Sequence, residues 1–291
     1  MTPLCELFER IALEAGASIL SVYKAGPTVC YKDDRSPVTE ADEQAEAIIL
    51  GRLAAAFPHI PVVAEEAVAS GCVPDISCGT FFLVDPLDGT KEFINRRDDF
   101  TVNIALIEGS VPVAGIVYAP AQRCAYVADK GRAEKLVFGD GAAAGHRQAI
   151  RVRARGPVLT AVASRSHNSL ETEAFLAGHG VTDYTSVGSS LKFCLLAEGR
   201  ADVYPRFGRT MEWDTAAGNA VLNAAGGSVV RLDGSRLLYG KMKQPDDSDF
   251  ANPHFVAWAD MPPASSPPRS GSGAILTPPA AGSVEDIHPK A

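Results

Sequence analysis

One stretch combines an apolar run with residues able to do chemistry. Phe81-Phe82-Leu83-Val84 leads straight into Asp85-Pro86-Leu87-Asp88-Gly89-Thr90. Asp85 leaves the end of a strand, where sheets tend to build their sites. Pro86 stiffens the turn and Asp88 can return to the same place. Gly89 lets main-chain N–H groups come close to a ligand. Two carboxylates in this spacing, with a backbone carbonyl between them, suit a hard cation such as Mg²⁺. A turn with solvated aspartates would give the same local pattern. Three other acidic motifs shift the balance. Val62-Val63-Ala64-Glu65-Glu66 is a short strand ending in paired carboxylates. Glu212-Trp213-Asp214-Thr215 and Pro37-Val38-Thr39-Glu40-Ala41-Asp42 place Asp214, Thr39 and Asp42 at helix starts, where each alone would read as a cap. A phosphatase of the DxDGT type, with an aspartate nucleophile, does not fit, because Asp85 stands one residue too far from Asp88.

The elements that must carry these residues fall into two halves. Apolar positions at helical spacing predict a helix over 4–22 and another over 39–56, ended by Pro58. Strand-like runs follow at 61–64, 81–84, 100–107, 111–118 and 123–128. Residues 1–145 thus read as an α+β half. From 146 to 260 strands (158–163, 183–187, 201–204, 228–232) alternate with helices (169–178, 188–198, 214–225), an α/β half. Residues 261–291 hold seven of the 20 prolines among Ser, Gly and Ala, and read as a disordered tail.

Composition limits the functions available. The 291 residues are 46% hydrophobic and 21% charged, with a net charge of −8 and a pI near 5.3. That excludes global disorder and disfavours nucleic-acid polymers as partners. The tail's charges cancel, so the acidity belongs to residues 1–260. Six cysteines without a CxxC pair, no signal-like start and no long apolar run point to a reduced, cytoplasmic protein with core thiols and no transmembrane segment.

DPLDGT, the preceding AEE and the later WDTAAG resemble the signature of the inositol monophosphatase superfamily, Mg²⁺-dependent and lithium-sensitive phosphatases. The resemblance spans residues 1–260. It implies a layered αβαβα sugar-phosphatase fold. Ala64 stands where many members have glycine. Ser164-Arg165-Ser166-His167, Gly188-Ser189-Ser190-Leu191-Lys192 and Tyr204-Pro205-Arg206 resemble the bacterial CysQ branch, 3′(2′),5′-bisphosphate nucleotidases of sulfur assimilation. The alternatives are an inositol-1-monophosphatase, a fructose-1,6-bisphosphatase, or a non-catalytic nucleotide sensor; retention of every expected carboxylate argues against the sensor.

The resemblance implies one Mg²⁺ on Glu65, Asp85 and the Leu87 carbonyl, a second on Asp85, Asp88 and Asp214, and room for a third, weaker ion on Glu65. Thr90 and Glu66 would orient or deprotonate the attacking water, with Asp42 and Thr39 in support, and no phosphoenzyme would form. Gly89 and Thr90 N–H groups would hold the scissile phosphate. Ser189 and Ser190, opening a helix, together with Lys192 and Arg206, would bind the second phosphate. His167 would contact adenine, and Asp214 also borders the substrate. The implied partner is a small phosphorylated nucleotide, the implied assembly a monomer or homodimer. The resemblance implies a place in the cytoplasm or, peripherally, on the cytoplasmic side of the inner membrane. Much of the acidity then becomes apparatus for binding a polyanion through metal.

Overall fold

The computed structural model describes residues 2–32, 36–139, 144–164, 169–181 and 184–261. Residues 262–291 of the expected tail, and His167, lie outside them.

Phe8, Ile11, Ala12, Ala15, Ile19 and Val22 recur on one side of helix α1 (Pro3–Ala25) and are buried. A two-stranded ribbon follows, β1 (Val29–Tyr31) with β2 (Pro37–Thr39). Thr39 and Asp42 then form a capping box that starts α2 (Glu40–Ala56). Strand β3 (Val62–Ala64) runs straight into the short helix α3 (Glu65–Ala69). Next come β4 (Thr80–Asp88), α4 (Thr90–Ile94), β5 (Thr101–Glu108), β6 (Val111–Ala119), β7 (Cys124–Asp129), β8 (Arg132–Phe138) and β9 (Ala144–Ala149). These strands form a seven-stranded sheet in the order β3-β4-β5-β6-β7-β8-β9, antiparallel except for β3 against β4.

The chain continues through β10 (Ala161–Ser164), α5 (Leu170–Gly178), β11 (Tyr184–Val187), α6 (Leu191–Ala197), β12 (Val203–Arg206), α7 (Trp213–Ala224), β13 (Ser228–Arg231) and β14 (Phe255–Trp258). A second sheet orders them β11-β10-β12-β14-β13. Helices α1 and α2 cover one face of the large sheet. Helices α6 and α7 lie between the large sheet and the small one. Helix α5 packs against β12. The order of layers is therefore αβαβα, as the resemblance implied. Helix α7 comes close to β6 because Gly115 has no side chain. A Cβ there would lie 3.1 Å from Ala217 Cα and from Ala220 Cβ.

Several expectations need correction. Residue 145 falls inside β9, so the large sheet runs past the expected boundary. Charged and polar residues in β8 (Arg132, Glu134, Lys135) masked its alternation. Strands β9 and β14 were also unforeseen. The helix expected from 188 begins at Leu191, after a turn in which Ser189 has a positive φ of 56°. Only Cys5, Cys124 and Cys194 are buried; Cys30, Cys72 and Cys78 are exposed. No helix among the described residues is long and apolar enough to cross a membrane.

Candidate active site

Strand β4 does not stop at Val84 but carries its two aspartates within the ladder. Asp85 pairs with Asn103, and the register then shifts so that Asp88 meets Thr101. Leu87 N–H donates to Asp85 Oδ1 (3.0 Å), and Leu87 O accepts from Thr90 Oγ (3.2 Å). The irregularity ties the Asp-Pro-Leu-Asp turn to the first residue of α4.

Parallel pairing sets Ala64 beside Val84, so Glu65 and Glu66 emerge next to Asp85. Glu46 of α2 fixes them, its carboxylate accepting from Glu66 N–H and Ala67 N–H, both at 2.8 Å. Lys32, between β1 and β2, donates to Glu65 (2.7 Å) and Glu66 (2.8 Å). Asp214 stands in the first turn of α7, where its Oδ2 accepts from Met211 N–H (2.9 Å).

Asp88 Oδ2 is held from the 188–190 turn. Ser189 Oγ and Ser190 N–H each donate at 2.7 Å. Ser190 Oγ lies 3.0 Å from the same oxygen and 2.7 Å from Asp214 O, so its one proton serves either. Gly188 N–H is taken by Asp99 Oδ2 (2.7 Å). The turn therefore grips carboxylates, a correction to the open anion site expected there. Lys192 Nζ points back at Val187 O (3.2 Å) and Ser189 O (2.5 Å). Arg206 Nη2 donates to Arg209 O (2.9 Å), while its buried Nε has no partner among the described residues. Thr39, Asp42 and Thr90 form a chain: Thr39 Oγ donates to Asp42 Oδ2 (2.7 Å), and Thr90 Oγ lies 3.3 Å from Asp42 Oδ1.

Burial and neighbouring negative charge raise Asp85, Asp214, Glu66 and Asp42. Asp85 lies well above its ordinary value, first through burial, then through Glu65, Asp88 and Asp214. Asp214 is pushed to about 8 by burial, Asp88 and Glu65. Glu66 rises to about 7 by burial and Glu65, and Asp42 to about 6 chiefly by burial. Burial works against the charge on Lys32, but Glu65 and Glu66 outweigh it. Burial lowers Lys192 to about 8, opposed by Asp88.

Among the described residues, no three His, Cys, Asp or Glu side chains already close on one point as a metal cage. The donor set still fits a hard divalent cation. It is all oxygen, largely buried, and its carboxylates raise one another's affinity for positive charge.

A pH dependence follows. Raised carboxylates hold more protons in the folded than in the unfolded protein, so without divalent metal their stabilisation is complete below about pH 4 and is lost as pH rises towards 8. A bound Mg²⁺ would displace those protons, so its stabilising effect should grow with pH. Thermal unfolding from pH 5.5 to 8.5, with EDTA or Mg²⁺, should show two curves that diverge upward in pH. Parallel curves would contradict the assignment.

Glu65, Asp88, Gly89, Thr90, Ser189, Lys192, Arg206 and Asp214 border one cavity of about 560 Å³. Asp85 and Leu87 are buried within β4 and are not part of its lining. Sequence reasoning missed Lys32, Arg209 and Ser248, which also line it. None of the three sits in a local motif; long-range packing brings them there.

A layered αβαβα fold with carboxylates gathered at the end of the large sheet's second strand defines a class of phosphatases. The chain belongs to the inositol monophosphatase family, whose model matches residues 1–248. It is 46% identical over 248 residues to the 3′(2′),5′-bisphosphate nucleotidase CysQ of Salmonella typhimurium, a match covering 84% of this chain and 96% of that protein. The crystal structure of CysQ from Bacteroides thetaiotaomicron, a bacterial member of the family, superimposes with a TM-score of 0.72 at 38% identity, covering 89% of this chain and 97% of that one. An inositol monophosphatase from Anabaena shares the fold at 23% identity and a TM-score of 0.64, over 88% and 90% of the two chains.

Proposed function

We propose that the protein hydrolyses the 3′-phosphate of 3′-phosphoadenosine 5′-phosphate: the ester and one water give AMP and inorganic phosphate. One observation carries this reading. Identity of 46% extends along 96% of a relative named as such a nucleotidase. The likeness to the Anabaena inositol monophosphatase is one of fold.

Two Mg²⁺ ions would be held by Glu65, Asp85 and the Leu87 carbonyl, and by Asp85, Asp88 and Asp214. When bound they supply Lewis-acid charge and a more acidic water. The remaining work belongs to the chain. Glu66, raised to about 7, is matched to accept a proton near neutral pH. Thr90, tied to Asp42 and Leu87 O, orients the water, and the Thr39 cap keeps Asp42 in place. Gly89 has φ 93°, and a Cβ there would lie 3.3 Å from Asp99 O. Glycine takes this left-handed turn without strain, and its N–H and that of Thr90, bordering the cavity, would hold the scissile phosphate. Arg206 borders the cavity, and its guanidinium is suited to the second phosphate. Lys192 adds charge from behind. Ser189 and Ser190 act by holding Asp88.

The test is kcat/KM for the bisphosphate nucleotide, inositol 1-phosphate and fructose 1,6-bisphosphate in Mg²⁺, with and without Li⁺. The nucleotide should lead inositol 1-phosphate by about 10²-fold or more, since a site built to pair a second phosphate rejects a substrate lacking it. Li⁺ should inhibit. A preference for inositol 1-phosphate would overturn the substrate assignment.

A further inference from the structure

Between β13 and β14 the chain forms a strap, residues 237–252, without a helix or strand of its own. Its contacts converge on the turn that precedes Asp214. Glu212, fully buried, accepts from Gly240 N–H (2.6 Å), Lys241 N–H (2.9 Å) and Lys241 Nζ (2.6 Å). Lys241 Nζ also reaches Asn252 Oδ1 (3.2 Å). Asn252 Nδ2 donates to Met211 O (2.7 Å) and Thr215 Oγ (3.0 Å). Glu212 N–H donates to Phe250 O (2.8 Å) and Asn252 N–H to Thr210 O (2.9 Å), flanking a bridge between Met211 and Ala251. The strap thus clamps Met211 on both sides, and Met211 N–H is the donor to Asp214 Oδ2.

An apolar pair of similar volume would fill this space without burying an ion pair. What the charged pair adds is a fixed register: Glu212 meets three donors only when Gly240 and Lys241 stand opposite it.

We propose that Glu212 and Asn252 are positioning residues, locking the strap to the 210–215 turn and thereby setting the Asp214 carboxylate for divalent-cation binding. This rests on Asp214 being a metal ligand. Outer partners that orient a ligand change metal affinity by about 10–100-fold when removed.

Trp213 supplies a reporter independent of turnover. It adjoins Asp214 and packs on Phe250 of the strap, with ring centroids 6.0 Å apart. The sequence has two tryptophans, so Trp258→Phe leaves Trp213 alone. In that background, Mg²⁺ titrations of Trp213 fluorescence should shift their midpoint about tenfold or more upward in Glu212→Gln and in Asn252→Ala. Lys135→Met breaks a different ion pair, Lys135–Glu198, and should lower Tm with the midpoint unmoved. Strap variants that lose Tm yet keep their midpoint within about twofold of the parent would reduce the strap to a structural role and overturn the proposal. Should Glu212→Gln fail to fold, Asn252→Ala decides alone. Asp214→Asn separates the two layers of the argument. It should weaken the titration more than either strap variant does, and an unmoved midpoint would instead refute the ligand assignment itself.

Discussion

Asp88→Asn should lower kcat/KM by about 10³-fold or more, some 4 kcal/mol of transition-state stabilisation, while raising the Tm of the metal-free protein. Both effects have one cause. Asp88 contributes charge to a buried group in which Asp85 and Asp214 are already raised by its presence. Removing that charge relieves repulsion when no cation is bound and removes attraction when one is needed. Asparagine is nearly isosteric, and its carbonyl oxygen can still accept from Ser189 Oγ and Ser190 N–H. Folding is therefore preserved. Calorimetry and steady-state kinetics on one preparation check both halves. A variant with wild-type turnover, or one that is merely destabilised, would remove Asp88 from the site.

Gly188→Ala should destabilise the protein by about 1–3 kcal/mol and cut activity by about 10²-fold. A Cβ at this position would lie 2.7 Å from Asp99 O, 2.8 Å from Glu92 Cγ and 2.9 Å from Asp99 Oδ2. The nearest of these is main chain and cannot swing away. The turn must move, which stretches the Gly188 N–H bond to Asp99 and displaces Ser189 and Ser190 from Asp88. Chemical denaturation and kcat/KM report the two effects. Unchanged activity despite the lost stability would show that the turn does not position Asp88.

These two variants also show where sequence reasoning reached its limit. Asp85, Asp88, Glu65 and Asp214 were legible only together: an apolar strand ending in carboxylates, or an acid at a helix start, is ambiguous alone, and the family resemblance joins them. The Thr39–Asp42 capping box was legible locally, as a cap at a helix start. Which donors face those acids was not. Ser189 and Ser190 read as an anion site, since a helix start offers N–H groups, yet the anion they hold is the protein's own Asp88. Lys32 and Glu46 reach Glu65 and Glu66 from elements distant in sequence. Glu212 looked like a neighbour of Trp213 and proved to be the anchor of a strap 28 residues further on. Strand β14 (Phe-Val-Ala-Trp) was short and apolar throughout, giving no alternation to recognise.

The proposed nucleotide hydrolysis depends on a divalent cation bound by these carboxylates. The most direct test of this dependence is equilibrium binding of Mn²⁺, a paramagnetic stand-in for Mg²⁺, followed by electron paramagnetic resonance beside phosphate release from 3′-phosphoadenosine 5′-phosphate. Saturable Mn²⁺ binding, displaced by Mg²⁺ and lost together with phosphate release in Asp88→Asn, is the predicted result. Full phosphate release by the chelated protein would contradict it.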